Sequence, residues 1–108
     1  MASEYAFRFT QKAVADLEEL FRAVGQDLAN PAAAAGLGRK IFKCIDDLCA
    51  FPHAGKPVEN DFLSDRAVRC LPIEHYLLFY KPDPASRTLF ILRIVCGRRS
   101  LDAIFREL

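Results

Sequence analysis

Arg66-Ala-Val-Arg-Cys-Leu71, His75-Tyr-Leu-Leu-Phe-Tyr-Lys81 and Thr88-Leu-Phe-Ile-Leu-Arg-Ile-Val-Cys96, closed by Gly97-Arg98-Arg99, are the runs whose reading decides the fold. They are rich in β-branched and aromatic residues and are punctuated by Pro72 and by Pro82-Asp-Pro-Ala-Ser-Arg87, which predicts a three-stranded antiparallel meander. The second and third runs are apolar at both parities, the pattern of strands covered on both faces. Arginine interrupts the region at 66, 69, 93, 98 and 99. A lone guanidinium is costly to bury, so these side chains are expected to line one open face of the sheet and its rim. That face is the expected working surface.

Outward from the meander, Tyr5, Phe7 and Phe9 alternate with Ala6 and Arg8 as in a half-buried strand. Thr10 is placed to cap a helix running to about Leu28, with Val14, Leu17, Phe21, Val24 and Leu28 as its apolar stripe. Asn30-Pro31 restarts a second helix, because asparagine caps well and proline fits the first helical position. Leu37, Ile41, Cys44, Ile45 and Leu48 form its apolar face, and it ends near Phe51-Pro52. Gly36 and Gly38 weaken its early turns by about 1 kcal/mol each relative to alanine. The short break between the helices predicts an antiparallel helical hairpin. Residues 52–65 have no period and read as an ordered loop. After the meander, Ser100 is placed to cap a last short helix carrying Leu101, Ile104, Phe105 and Leu108. The order strand, helix, helix, three strands, helix defines an α+β domain with the hairpin on one face of an antiparallel sheet.

At 108 residues, 52% apolar and 27% charged, the chain is expected to be a single globular domain over 1–108. A net charge of +1 excludes a polycation, so any affinity for anions must be local. No apolar run reaches the roughly 20 residues of a membrane span, and the amino-terminal residues lack signal-peptide features, so the expectation is a cytosolic protein. Cys44, Cys49, Cys70 and Cys96 contain no CxxC pair and no histidine at ligand spacing. Cys44, Cys70 and Cys96 sit inside apolar patterns and read as reduced, buried small hydrophobes, and neither a metal nor a cofactor is expected.

The amino-terminal strand, Ala13-Val-Ala-Asp-Leu17, Leu48-Cys-Ala-Phe-Pro-His-Ala-Gly55, Arg66-Ala-Val-Arg69, Tyr76-Leu-Leu-Phe-Tyr80 and Ile91-Leu-Arg-Ile-Val-Cys-Gly-Arg-Arg99 together resemble the RelE/ParE superfamily of bacterial type II toxins. The resemblance covers nearly the whole chain in the right order. It implies the family fold, a neutralising antitoxin, and either cleavage of mRNA in the ribosomal A site (RelE type) or inhibition of DNA gyrase (ParE type).

Cleavage through a 2'-hydroxyl needs an acid, a base and cationic stabilisation of the phosphorane. Where several ribonuclease members carry a last-strand histidine this chain has Cys96, and where RelE places a catalytic tyrosine it aligns Phe105. His53 and His75 lie away from those positions. The resemblance therefore implies a ParE-like gyrase inhibitor that is not an enzyme and that causes growth arrest. A ParD-like ribbon-helix-helix antitoxin is its implied partner, with DNA contacted only through that antitoxin. Arg69, Arg93 and Tyr80 are the candidate antitoxin contacts, and Arg98, Arg99 and Phe105 the candidate target contacts, with no catalytic residue assigned. A RelE-like mRNA endonuclease and a non-toxic antitoxin-binding member are the alternatives.

Overall fold

The computed structural model describes residues 4–27, 30–63, 65–97 and 101–106. Strand β1 (Ala6–Phe9) leads into helix α1 (Gln11–Arg22) through Thr10, whose extended backbone and side-chain oxygen cap the helix by accepting the Ala13 N–H at 3.1 Å. The same residue ties the helix to the far end of the chain. Its N–H donates to the Ile91 carbonyl at 3.1 Å and its hydroxyl to the Leu92 carbonyl at 3.0 Å. One wider helical turn, Ala23–Asp27, follows α1. Helix α2 (Pro31–Ala50) starts as expected, with Asn30 Oδ1 accepting the Ala33 N–H and Pro31 in its first turn.

Four further strands follow: β2 (Lys56–Pro57), β3 (Arg69–Ile73), β4 (Tyr76–Asp83) and β5 (Thr88–Cys96). They form one sheet in the order β1-β5-β4-β3-β2. Helix α3 (Leu101–Arg106) completes the described fold. The meander β3-β4-β5 is antiparallel, as read from the sequence. Two features differ from that reading. The loop after α2 contributes the two-residue strand β2, and β1 runs parallel to β5, with Ala6 opposite Thr88 and Phe9 opposite Ile91. A parallel pair needs a crossover connection, which the two helices supply.

Pro72 does not break the meander but lies inside β3, opposite Leu77. The turn is Glu74-His75, with Glu74 in the left-handed region at φ 55°, closed by the pair Ile73 and Tyr76. Alternation from that closing pair points the Pro72 nitrogen away from β4, toward the side where β2 no longer reaches, so no ladder bond is lost.

The sheet is covered on both faces. Toward the helices, Ala13, Leu20, Leu37, Ile41, Ile45, Leu48 and Cys49 pack on Ile73, Leu78, Tyr80, Leu89, Ile91 and Ile94. On the opposite face, Leu63, Val68, Phe79 and Val95 pack on Ile104 and Phe105 of α3. Leu17, Phe21 and Val24 pack on this core as expected, but the buried stripe of α1 is rotated toward Ala13 and Leu20, with Val14 exposed; Leu28 lies outside the described residues. The cap at Thr10 and an ion pair from Asp16, described below, fix that rotation. Gly38 finds its reason here: a Cβ would lie 3.2 Å from the Phe21 ring, so the glycine lets that ring seat between α1 and α2.

All four cysteines are free, and burial pushes the Cys70 thiol up to about 11. Among the described residues no His, Cys, Asp or Glu cluster has metal-ligand geometry, and no helix is long and apolar enough to cross a membrane.

Candidate functional site

Among the described residues, Arg69 and Arg93 do not share one face of the sheet. Arg69 is registered with Tyr80 and Arg93 with Phe79, and Tyr80 and Phe79 belong to the cores on opposite sides of the sheet. Each arginine is committed to the chain's own structure.

Arg93 crosses the edge of β5 that β1 leaves uncovered and meets Asp16 of α1. Its Nε donates to Asp16 Oδ2 at 2.6 Å and a terminal nitrogen to Oδ1 at 3.0 Å, while the Ile94 N–H donates to Oδ2 at 3.1 Å. The two side chains are only 9% and 11% exposed. One carboxylate thus pairs a buried cation and satisfies an edge-strand amide, fastening α1 to the central part of the sheet. Arg93, expected from the sequence to touch the antitoxin, has its guanidinium engaged by Asp16 within the chain.

Tyr80 is fully buried, and its phenol is spent on the loop after α2. The hydroxyl donates to the Pro52 carbonyl at 2.8 Å and accepts the Gly55 N–H at 2.9 Å. Burial, against smaller opposing effects of the Gly55 N–H and Arg69, holds its pKa above the ordinary phenol value. Half-buried Arg69 works on the same loop, donating to the Gly55 carbonyl at 2.6 Å and to the His53 carbonyl at 3.1 Å. Gly55 must be glycine for this approach, because a Cβ would lie 2.6 Å from the Tyr80 oxygen and 2.9 Å from the Cys70 carbonyl. The expected antitoxin contacts Tyr80 and Arg69 are therefore a clamp on residues 52–55.

Phe105, expected to touch a target, stands edge-on to Phe79 with ring centroids 5.2 Å apart and is 4% exposed. It is a core residue of the second face. Asn60 Nδ2, donating to Asp102 Oδ1 at 3.0 Å, and Arg106, 4.2 Å over the Phe62 ring, hold the same helix to the loop before β3. Arg98 and Arg99, the other expected target contacts, lie outside the described residues, as does Ser100.

The surface that does present itself is a groove of about 560 Å³ between α2 and the β3-β4 turn. Gly36, Cys44, Pro72 and Ile73 make its apolar floor, and Arg39, Lys40 and Lys43 stand on α2 against a single acid, Glu74. Lys40 pairs with Glu74, and Lys43 approaches Asp47 at 3.4 Å. Three cations within about one helical turn beside an apolar stripe are visible in the sequence as the spacing 39, 40, 43.

The two histidines lie apart. His53 lies by the start of β3 and His75 just past its end, separated by the strand, roughly 13 to 17 Å at about 3.3 Å per residue.

A mixed sheet of this order, with a helical hairpin on one face and a short last helix on the other, makes the chain a RelE/ParE-like α+β protein. It belongs to the ParE family: the family described as "ParE toxin of type II toxin-antitoxin system, parDE" matches residues 7–101. Among solved structures it is similar to a chain of the chromosomal ParDE toxin-antitoxin system from P. aeruginosa (TM-score 0.68, 24% identity, covering 88% of this chain and 98% of that one). It is also similar to a chain of the RelBE2 toxin-antitoxin complex from Mycobacterium tuberculosis (TM-score 0.61, 26% identity, covering 86% and 98%). The isolated E. coli RelE toxin shares the fold at a TM-score of 0.53 and 16% identity, over 96% of this chain and 99% of that one. Among curated protein sequences none matches significantly.

Proposed function

We propose that this ParE-family toxin arrests growth by inhibiting DNA gyrase and is silenced by a ParD-like antitoxin with a ribbon-helix-helix domain and an acidic tail. The observation that carries the reading is the commitment of the polar groups of the sheet to structure. The Tyr80 phenol is held between Pro52 and Gly55, Arg93 is neutralised by Asp16, and the position aligned with a RelE tyrosine is the core residue Phe105. A toxin whose chemistry is spent in this way acts by binding. Purified protein is expected to block supercoiling by gyrase while ribosome-bound mRNA stays intact. Codon-specific cuts in translated messages, read by primer extension, would replace this proposal with an mRNA endonuclease.

The antitoxin tail is assigned to the groove beside α2. Its apolar floor and excess of cations suit an acidic amphipathic segment that folds on binding. Pro72 offers no N–H to an added strand, so a helix is the form that fits there. Reversing both Lys40 and Lys43 to glutamate is expected to weaken the complex at least tenfold and to flatten its salt dependence, with the melting temperature nearly unchanged because both side chains are exposed. Unaltered affinity by titration calorimetry would move the tail elsewhere.

A further inference from the structure

The tip at residues 50–54 is built like a recognition element. Phe51 is 70% exposed, the most exposed large apolar side chain among the described residues, and Ala50, His53 and Ala54 beside it are exposed too. Such a loop usually keeps its apolar side chains in and its backbone wet. Here the backbone is fixed from within instead. Tyr80 binds the Pro52 carbonyl and the Gly55 amide, Arg69 binds the His53 and Gly55 carbonyls, the Ala54 N–H closes on the Phe51 carbonyl at 3.1 Å, and the Phe51 N–H still caps α2 on Asp47 at 2.9 Å. A buried phenol and a half-buried guanidinium are used up in setting the shape of a tip whose side chains contribute almost nothing to the core.

We infer that Phe51 is a preorganised anchor by which the toxin engages the folded protein it poisons, entering an apolar pocket on that protein. The inference rests on the reading of the chain as a toxin acting by binding. Shape and charge select the occupant. An acidic flexible tail is drawn to the cations of Arg39, Lys40 and Lys43 and adapts its own form. The side chains from Ala50 to Ala54 include no permanently charged group, and their form is fixed before any encounter. An exposed aromatic on a fixed backbone lowers the ordering cost of binding and suits a preformed apolar site.

The chain holds no tryptophan, so F51W gives the toxin a single indole reporter at the tip. With gyrase, its emission is expected to become shielded from iodide, and with the antitoxin alone it is expected to stay open to the quencher. In the same assays Phe51→Ala is expected to lose at least about tenfold in inhibitory potency while keeping antitoxin affinity and melting temperature. Shielding by the antitoxin would overturn the inference, and so would full potency of Phe51→Ala. If the unaltered protein fails to inhibit gyrase but still arrests growth, the choice of gyrase falls. Phe51→Ala then decides the tip on its own: continued arrest overturns the inference, and lost arrest with intact antitoxin binding sustains it against another protein target. An unaltered protein that arrests nothing overturns it as well.

Discussion

Replacing Phe105 by alanine is expected to cost about 3 to 5 kcal/mol of folding stability. The ring is nearly inaccessible and meets Phe79 edge-on, and among the described residues the cluster around it adds Leu63, Val68, Val95 and Ile104 as buried members, with a rim of partly buried side chains. A cluster this small has few neighbours able to close over the space left behind. The whole domain is expected to be stable by about 5 to 15 kcal/mol, so the loss is a large share. Melting should fall by roughly 15 to 30 °C for a domain of this size. Cutting the chain after Ser100 should do at least as much, since it removes Ile104 together with Phe105. A truncated protein that melts within a few degrees of the original would show that the second face closes without α3.

The second large effect is expected at Asp16. Its removal as Asp16→Ala takes two hydrogen bonds and their negative charge from the buried Arg93 guanidinium and the acceptor from the Ile94 N–H, for a loss of about 3 to 5 kcal/mol. Much of that cost lies in the lost pairing of a buried cation, so the double variant Asp16→Ala/Arg93→Met should recover a good part of it. Asp16→Asn should fall between, keeping an acceptor for the amide but losing the charge. Urea titration of the original protein, Asp16→Ala, Arg93→Met and the double variant forms a cycle, and additivity of the two single changes would show that the ion pair is not what fastens α1 to β5. Because this contact is internal, the same substitutions are expected to act on binding only through loss of the folded state.

Local signals explain which parts of this architecture could be read from the residues alone. Thr10 and Asn30-Pro31 announce their helices because a cap is a contact across three residues, and the meander shows in its β-branched and aromatic runs. What escaped such reading involves partners far apart in sequence. Nothing near Tyr5 to Phe9 says that this strand lies parallel to β5, and nothing near Arg93 says that its counter-charge stands 77 residues earlier. Pro72 misleads for a different reason. A proline forbids a strand only where its missing N–H would have been used, and the register of the turn at Glu74-His75 decides that. At the candidate site, Arg69 and Tyr80 were picked out as special, but only the structure shows that both serve the 52–55 backbone. The exposure of Phe51 had no sequence signal, since an apolar residue at a helix end reads the same whether it turns inward or out.

The parallel pairing of β1 with β5 also sets a clock. Thr10 and the carbonyl it binds at Leu92 are 82 residues apart, so at the roughly 5 to 20 residues per second of synthesis the first waits about 4 to 16 s for the second to be made. Helical-hairpin contacts form early, but the strand that receives β1 on one side and β4 on the other arrives near the end of translation. For those seconds every new copy is a chain without the strand that joins β1 to β4.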